Sequence, residues 1–353
     1  MKTINVTVSQ AFQACKKNKQ NIILDVRTPS EWTQGIAKGA FCLALSDINE
    51  LSAKALTKEK NYYVICQSGQ RSTLAIQQLL QFGFDNLYHI NEGYGEWLKQ
   101  KLPTEVTTVS KHDLRYQRHY QLQGFGRVAQ DKLKNAHVLL IGAGGLGSSC
   151  ALYLAAAGVG QISIIDDDTV QLSNLQRQII HNTDSIGSLK VDSAHNQMSA
   201  LNPEIKINAI AKRLNQDNIN SLIDKVDLVI DGSDNLDTRY MVNDVCQKLH
   251  KPLVYAAVYQ YEAQISVFNF KNTQSPCLRC LFPKTEGFEP DNCSTVGVLG
   301  VVPGMAGIMQ ASETIKIIAE VGQILEGQLL VFDLLDNSFR SIKYTIDSHC
   351  TNH

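Results

Sequence analysis

His137–Gly147 reads HVLLIGAGGLG, and the rest of the chain is arranged around it. An apolar run, Val138 to Ile141, breaks into Gly142, Gly144, Gly145 and Gly147, and an alanine- and leucine-rich segment, Ser148 to Ala157, comes directly after. The order predicts strand, glycine turn, helix. Glycines let a backbone turn sharply and approach a phosphate, while a new helix offers unpaired N–H groups and the positive end of its dipole. About twenty residues on, the strand-like Gln161–Ile165 ends in Asp166, Asp167 and Asp168, where an acidic side chain meets a ribose hydroxyl. The pattern marks a nucleotide site without saying which nucleotide.

The residues beyond these acids narrow the choice. Ser173-Asn174-Leu175-Gln176-Arg177-Gln178 is a polar loop carrying an arginine, and Lys190 lies in IGSLKVDSA at an expected helix start. A nicotinamide-dependent dehydrogenase has no use for these cations beyond its ribose acid. A triphosphate site does, because a guanidinium takes two phosphate oxygens at once. Val226–Asp234, VDLVIDGSD, reads as a third strand ending in acids, and parallel sheets place ligands at such ends. Asp234 there either holds the magnesium that accompanies ATP or caps the next helix. Upstream, Asp113–Gln123, DLRYQRHYQLQ, is rich in cations and tyrosine and reads by itself as a solvated helix face.

The first hundred residues carry a second chemistry. Asn21–Val26 (NIILDV) and Tyr62–Cys66 (YYVIC) look like parallel strands that stop at polar loops, and Ser72–Phe82 has helical periodicity. Cys66 ends its strand just ahead of Gln67-Ser68-Gly69-Gln70-Arg71-Ser72. It is either a buried core cysteine or a nucleophile whose thiolate loop amides, a helix N-terminus and Arg71 stabilise. Lys101–Lys111, KLPTEVTTVSK, is polar and without apolar period, which predicts a linker at 102–111 between domains 1–101 and 112–353.

Length and composition bound the rest. The chain has 353 residues, enough for about two domains. A net charge of −1 with 19% charged residues offers no basic field for nucleic acid or an anionic membrane. No apolar run approaches a membrane span and no signal peptide is evident, so a cytoplasmic protein is expected. Nine cysteines form an odd set better suited to metal, catalysis or core than to disulfides. Cys277-Leu278-Arg279-Cys280 and Cys350-Thr351-Asn352-His353 repeat one spacing, and together they make a closed tetrahedral zinc site. His349 is the alternative fourth ligand. Cys293 lies in the polar stretch 290–295, an expected loop, and Cys15, Cys42, Cys150 and Cys246 are assigned to the core.

Two resemblances join these readings. Asp25-Val26-Arg27 with Glu31-Trp32, CQSGQRS, and the closing Gly83–Trp97 segment resemble a single-domain rhodanese. The likeness implies a small parallel-sheet domain in which Cys66 carries sulfane sulfur as a persulfide within a loop that includes Gly69 and Arg71. Phosphatase loops of this kind have one more residue between cysteine and arginine. Asn91-Glu92-Gly93 departs from the family, which usually has a second glycine there. From Leu114 onward, RYQRHYQLQGFG, GAGGLGSS, DDDTVQLSNLQRQ, GSLKVDSA, DGSDNLDTR, CLRC and TVGVLGVVPG resemble, in order, the MoeB/ThiF/HesA adenylyltransferases, bacterial relatives of ubiquitin-activating enzymes.

This second likeness implies a Rossmann-like ATP-binding adenylation domain with a mixed sheet and a zinc knuckle. ATP and a ubiquitin-like sulfur carrier ending in Gly-Gly would form an acyl adenylate, and sulfur from an upstream donor, borne by Cys66, would convert it to a thiocarboxylate for molybdopterin or thiamine-thiazole synthesis. It also implies that Gly142, Gly144, Gly145 and Gly147 cradle the nucleotide and that Asp166 takes the ribose. Asn174, Arg177, Gln178 and Lys190 would hold phosphates, and Asp234 magnesium. Arg118 would reach a neighbouring subunit's site in a homodimer, and Cys293 could join covalently to the carrier. The alternatives are a nicotinamide oxidoreductase with a regulatory rhodanese, and a non-enzymatic scaffold.

Overall fold

The computed structural model describes residues 4–49, 56–106, 111–122, 124–283, 297–350 and 352–353. Its internal contacts divide the chain into Met1–Arg127 and Val128–His353. Among the described residues no helix is long and apolar enough to cross a membrane.

The first unit is built on β1 (Ile4–Val6), β2 (Asn21–Asp25), β4 (Phe41–Cys42), β5 (Asn61–Ile65) and β6 (Leu87–Ile90), a parallel sheet in the order β1-β6-β5-β2-β4. A sheet of this kind must be covered on both faces. Leu24, Val64 and Cys66 pack with Ala75, Ile76 and Leu79 of the helix Gln70–Gln81, while Ile23, Tyr63 and Ile65 pack with Val8, Tyr94 and Trp97 on the other side. The segment expected as linker contains regular structure among its described residues. In it β7 (Thr104–Glu105) pairs antiparallel with β3 (Ile36–Ala37), and the Trp97 indole donates to the Pro103 carbonyl at 3.1 Å. The helix expected over Asp113–Gln123 runs Lys111–Tyr120 and packs within this unit, Gln117 Nε2 donating to Ser30 Oγ at 2.7 Å.

The second unit holds a mixed sheet in the order β10-β9-β8-β11-β12-β13-β14-β15. Its strands are β8 (His137–Ile141), β9 (Gln161–Ile165), β10 (Lys206–Ile210), β11 (Leu228–Asp231), β12 (Leu253–Tyr259), β13 (Glu262–Phe268), β14 (Gln328–Asp333) and β15 (Ser338–Lys343). The first five in spatial order are parallel and the last three join antiparallel. From β8 the chain winds to β9 and β10 on one side, then returns to β11 and β12 on the other. That reversal opens a crevice at the carboxyl ends of β8 and β11, where such sheets bind ligands.

Two expectations about the glycine turn change in detail. The helix predicted from Ser148 begins at Gly145, so Gly145 and Gly147 belong to its first turn. Gly142 has φ 91°, and a Cβ on it would stand 2.9 Å from the Gly232 carbonyl oxygen. A Cβ on Gly147 would collide with the Gly142 carbonyl oxygen. The helix can therefore start immediately behind the strand only because these positions lack side chains. The third strand is also shorter than Val226–Asp234, ending at Asp231, because Gly232 runs against the end of β8, its own Cβ position lying 2.8 Å from the Ile141 oxygen.

Gly147→Ala is expected to lower unfolding stability by at least about 2 kcal/mol, since the obstacle is backbone and cannot rotate away. Urea titration of the variant checks this, and an unchanged midpoint would contradict the close approach.

Candidate functional site

The crevice beyond β8 and β11 encloses about 460 Å³, within the range of nucleotide-sized pockets. Gly142, Gly144, Gly145, Asp166, Asn174, Arg177, Gln178, Lys190 and Asp234 all line it. Sequence positions spread over ninety residues thus converge on one wall, while Gly147 stays behind the lining as a packing residue. Asp166 sits at the end of β9, where its Oδ2 accepts from the Ala143 N–H at 2.8 Å and its Oδ1 from the Asp168 N–H at 2.9 Å. The acid is thereby locked to the glycine turn. Lys190, first residue of the helix Lys190–Leu201, is buried and paired with Asp168 at 2.6 Å. Arg177 lines the crevice, its guanidinium donating to the Ser173 carbonyl at 3.2 Å.

Of the two readings of Asp234, the capping role falls to its neighbour. Asn235 caps the helix Leu236–Lys248, its side chain accepting from the Thr238 N–H at 2.9 Å. Asp234 is left with its carboxylate exposed on the crevice wall.

Several lining residues escape a reading of the sequence. Lys212 and Arg213 come just after β10, a strand whose alternating pattern is too weak to single out. Arg239, 8% exposed, donates to the Ser233 carbonyl at 2.9 Å and lies over the Tyr255 ring. It belongs to the DGSDNLDTR motif, yet nothing in the motif says that it turns inward. Beneath the glycine turn, His181 donates to the Ala143 carbonyl at 3.0 Å and meets Ser193 Oγ at 2.9 Å. Burial lowers its pKa below the usual histidine value, so it stays a neutral brace. The wall as a whole sets Arg177, Lys190, Lys212, Arg213 and Arg239 against Asp166, Asp167, Asp168 and Asp234, a surface suited to a polyanion carrying a metal ion.

In the first unit, Cys66 lies at the end of β5 and is buried. Its Sγ accepts from the Gly69 N–H at 3.1 Å and lies 3.4 Å from Ser72 Oγ. Gly69 adopts φ 90° as it opens the helix Gln70–Gln81, and that conformation aims its N–H at the sulfur. Arg71 is close enough to Cys66 to act on it electrostatically, but its hydrogen bonds go elsewhere. Its guanidinium instead grips Glu31 through two bonds of 2.6 and 2.7 Å, because the helix Pro29–Trp32 carries Glu31 over the loop. Partial burial pushes the Glu31 carboxyl up, but the Arg71 fork and Thr28 hydrogen bonds outweigh it and hold it at about 2.

Cys277, Cys280, Cys350 and His353 present ligand atoms within 4.8 Å of one another. The Cys277 sulfur lies 3.8 Å from that of Cys280 and 3.6 Å from that of Cys350. A tetrahedron with metal–sulfur bonds of about 2.3 Å has edges of about 3.8 Å, so the donor set fits zinc without rearrangement. His349 points away, exposed and turned to Asp347. Asn352 anchors the segment by accepting from Gln247 Nε2 and donating to Asp244 Oδ1, both at 2.7 Å. Arg118 lies exposed on the helix Lys111–Tyr120 of the first unit, and Cys293 falls outside the described residues. Cys150 and Cys246 are buried as expected, whereas Cys15 and Cys42 are only half-buried.

The ThiF family model matches residues 116–352, and a rhodanese-like domain model matches residues 8–100. The SAMP-activating enzyme E1 of Haloferax volcanii is 40% identical over 238 residues, covering 67% of this chain and 87% of that protein. The adenylyltransferase and sulfurtransferase MOCS3 of Culex quinquefasciatus is 44% identical over 240 residues, covering 67% of this chain, which spans only 54% of that relative's length. The sulfur carrier protein adenylyltransferase of Thermus thermophilus is 40% identical over 241 residues, 67% of this chain and 89% of that protein. Among solved structures, E. coli MccB with ATP aligns with a TM-score of 0.60 at 24% identity, over 69% of this chain and 74% of MccB, a likeness of fold.

The Glu31–Arg71 pair has a pH signature. A carboxyl whose folded pKa lies below its unfolded value of about 4.5 contributes stability that is complete above that value and lost as pH falls through about 2. Urea titrations of the wild type and Glu31→Gln should therefore differ most at pH 6, and the gap should shrink steadily as pH is lowered from about 4.5 toward 2. A gap of the same size at pH 6 and pH 2 would show that the pair is not its source.

Proposed function

Because the chain belongs to the ThiF family and carries a rhodanese-like domain ahead of that match, we propose that it adenylates the C-terminal glycine of a ubiquitin-like sulfur carrier and supplies sulfur to the product. The observation that carries this reading is the crevice at the β8–β11 switch point, where Asp166, Arg177, Lys190 and Asp234 meet the glycine turn. A redox ring needs none of the last three.

The carrier's terminal carboxylate has an ordinary pKa near 3.5, so at neutral pH it is already a nucleophile and needs no general base. Charge repulsion is the barrier. One carboxylate oxygen attacks the α-phosphorus of ATP, the bond to the bridging oxygen breaks, and pyrophosphate leaves with the electron pair. Arg177, Lys190, Asn174 and Gln178 would hold the phosphates and offset the charge that develops on the leaving group. Asp166 would hold the ribose. Lys190 is paired with Asp168 in the free protein, so it is already placed at the wall and exchanges one anion for another when nucleotide enters. Asp234, freed from capping by Asn235, would hold the magnesium that neutralises phosphate oxygens. Arg118, exposed on its helix, would complete the site of a second copy, which makes a homodimer part of this proposal.

In the first unit, Cys66 would bear the sulfur received from an upstream donor. The terminal sulfur of the persulfide attacks the adenylate carbonyl and AMP departs. The acyl disulfide that forms is opened by a second thiol, which releases the thiocarboxylate and is left in a disulfide with Cys66 that a cellular dithiol reduces, while Cys293 is the candidate relay that could join covalently to the activated carrier. Zinc held by Cys277, Cys280, Cys350 and His353 would be structural, since all four positions of the tetrahedron are protein ligands. A cytoplasmic setting, where thiols stay reduced, suits both sulfur sites. The product would serve molybdopterin or thiazole synthesis.

Carrier-dependent exchange of pyrophosphate into ATP tests the first reaction, and nicotinamide binding without exchange would overturn it. Asp234→Asn is expected to abolish exchange, a loss of at least about 100-fold, while leaving thiosulfate-to-cyanide sulfur transfer intact. Cys66→Ala is expected to do the reverse. Loss of both activities in either variant would contradict this division of labour. Mixing Arg118→Ala with Asp234→Asn protein should restore measurable exchange if the arginine acts between subunits, and a mixture as inert as its parts would exclude that.

A further inference from the structure

Behind Cys66 lies a set of groups that the sulfur chemistry above does not use. His89, in β6, places Nε2 3.0 Å from Ser72 Oγ and 3.0 Å from the Gly69 carbonyl oxygen. Its other nitrogen, Nδ1, lies 3.0 Å from Asn5 Oδ1 in β1. Ser72 Oγ is in turn 3.4 Å from the Cys66 sulfur and 2.9 Å from the Gly69 carbonyl. Parallel pairing sets this line-up. β6 lies between β1 and β5, with His89 registered opposite both Asn5 and Val64.

The acceptors around the ring are the informative part. With Nδ1–H donating to Asn5 Oδ1, Nε2 of the neutral ring keeps a lone pair that can accept from Ser72 once its hydroxyl turns from the Gly69 carbonyl, to which it donates at 2.9 Å. Once Nε2 is protonated, both ring nitrogens face oxygen acceptors, Asn5 Oδ1 and Gly69 O. The imidazolium is therefore the form with every hydrogen satisfied. The remaining charged groups from the elements packed around the loop are matched with one another. Arg71 is paired with Glu31, and Arg27 with Asp25 at 2.7 Å beneath the Tyr94 ring. Arg71 acts on the sulfur across space with its charge shared with Glu31.

We propose that His89 is a positioning residue that takes up the Cys66 proton through Ser72. The Cys66 S–H bond breaks toward Ser72 Oγ, the Ser72 hydroxyl hydrogen passes to His89 Nε2, and a thiolate and an imidazolium result with no change in oxidation state. The Ser72 hydroxyl and the Gly69 N–H then both donate to the sulfur. The inference rests on the reading of Cys66 as the sulfur carrier and adds to it the group that keeps this cysteine ionised.

The test measures iodoacetamide alkylation of the Cys66 peptide against pH by mass spectrometry in the full chain. His89→Ala, and His89→Gln, which keeps an amide donor but cannot take a proton, should both raise the midpoint by about one unit and slow alkylation at pH 7 severalfold. Linkage makes the effect reciprocal, so the His89 ring observed by NMR should titrate at lower pH in Cys66→Ala than in the wild type. This second measurement also decides the matter should the His89 variants fail to fold. Unchanged Cys66 profiles together with an unchanged His89 midpoint would overturn the proposal. Persulfide formation from thiosulfate in the unaltered protein tests the parent reading separately, since its failure would leave the titrations unaffected.

Discussion

The second unit depends on a contact between backbones. At the carboxyl ends of β8 and β11, Gly142 and Gly232 approach so closely that a Cβ on either would press against a carbonyl oxygen, and the first turn of the helix Gly145–Ala157 is seated over Gly142 in the same way. Cores tolerate changes of side-chain volume when neighbours repack, but carbonyl oxygens fixed in a sheet cannot repack. The contact sets how near the helix N-terminus comes to the sheet, and so where its free N–H groups point. The crevice is the space this geometry leaves.

Charge organises that space. The wall mixes acids and cations, and most are held by contacts with one another or with backbone before any ligand arrives. Asp166 is tied to the glycine turn, Lys190 to Asp168, and Arg239 to the Ser233 carbonyl. Groups already fixed lose little freedom when a polyanion binds. Asp231 shows the cost of such an arrangement. It is buried at the end of β11 with one oxygen accepting from the Ser233 N–H and the other without a partner among the described residues, and burial raises its pKa above the ordinary value. Its hydrogen-bonded oxygen shapes the turn that carries Asp234 to the surface.

The first unit solves a related problem with less charge. Cys66 lies in a loop whose nearby arginine is shared with Glu31, and among the described residues its sulfur meets one amide and one hydroxyl. A glycine at φ 90° supplies the amide, and the sheet register supplies a histidine behind the hydroxyl. Both units place their candidate site residues where a parallel strand ends and a helix begins, the position at which unpaired N–H groups gather.

Whatever depends on near neighbours is legible in the sequence. The order strand, glycines, helix, acids comes from local propensity and the needs of a phosphate, so Gly142, Gly144, Gly145, Asp166 and Lys190 can be chosen before any fold is known. The CxxC and CxxH spacings announce a four-ligand cluster for the same reason. Partner choice over long separations is not legible. That Arg71 meets Glu31 forty residues away, that Asn235 caps and frees Asp234, that His353 joins the cysteines while His349 turns to Asp347, and that Lys212, Arg213 and Arg239 face the crevice all depend on strand order and register. Those are settled by burying two faces of a sheet at once, a condition on the whole domain that no short stretch of residues carries.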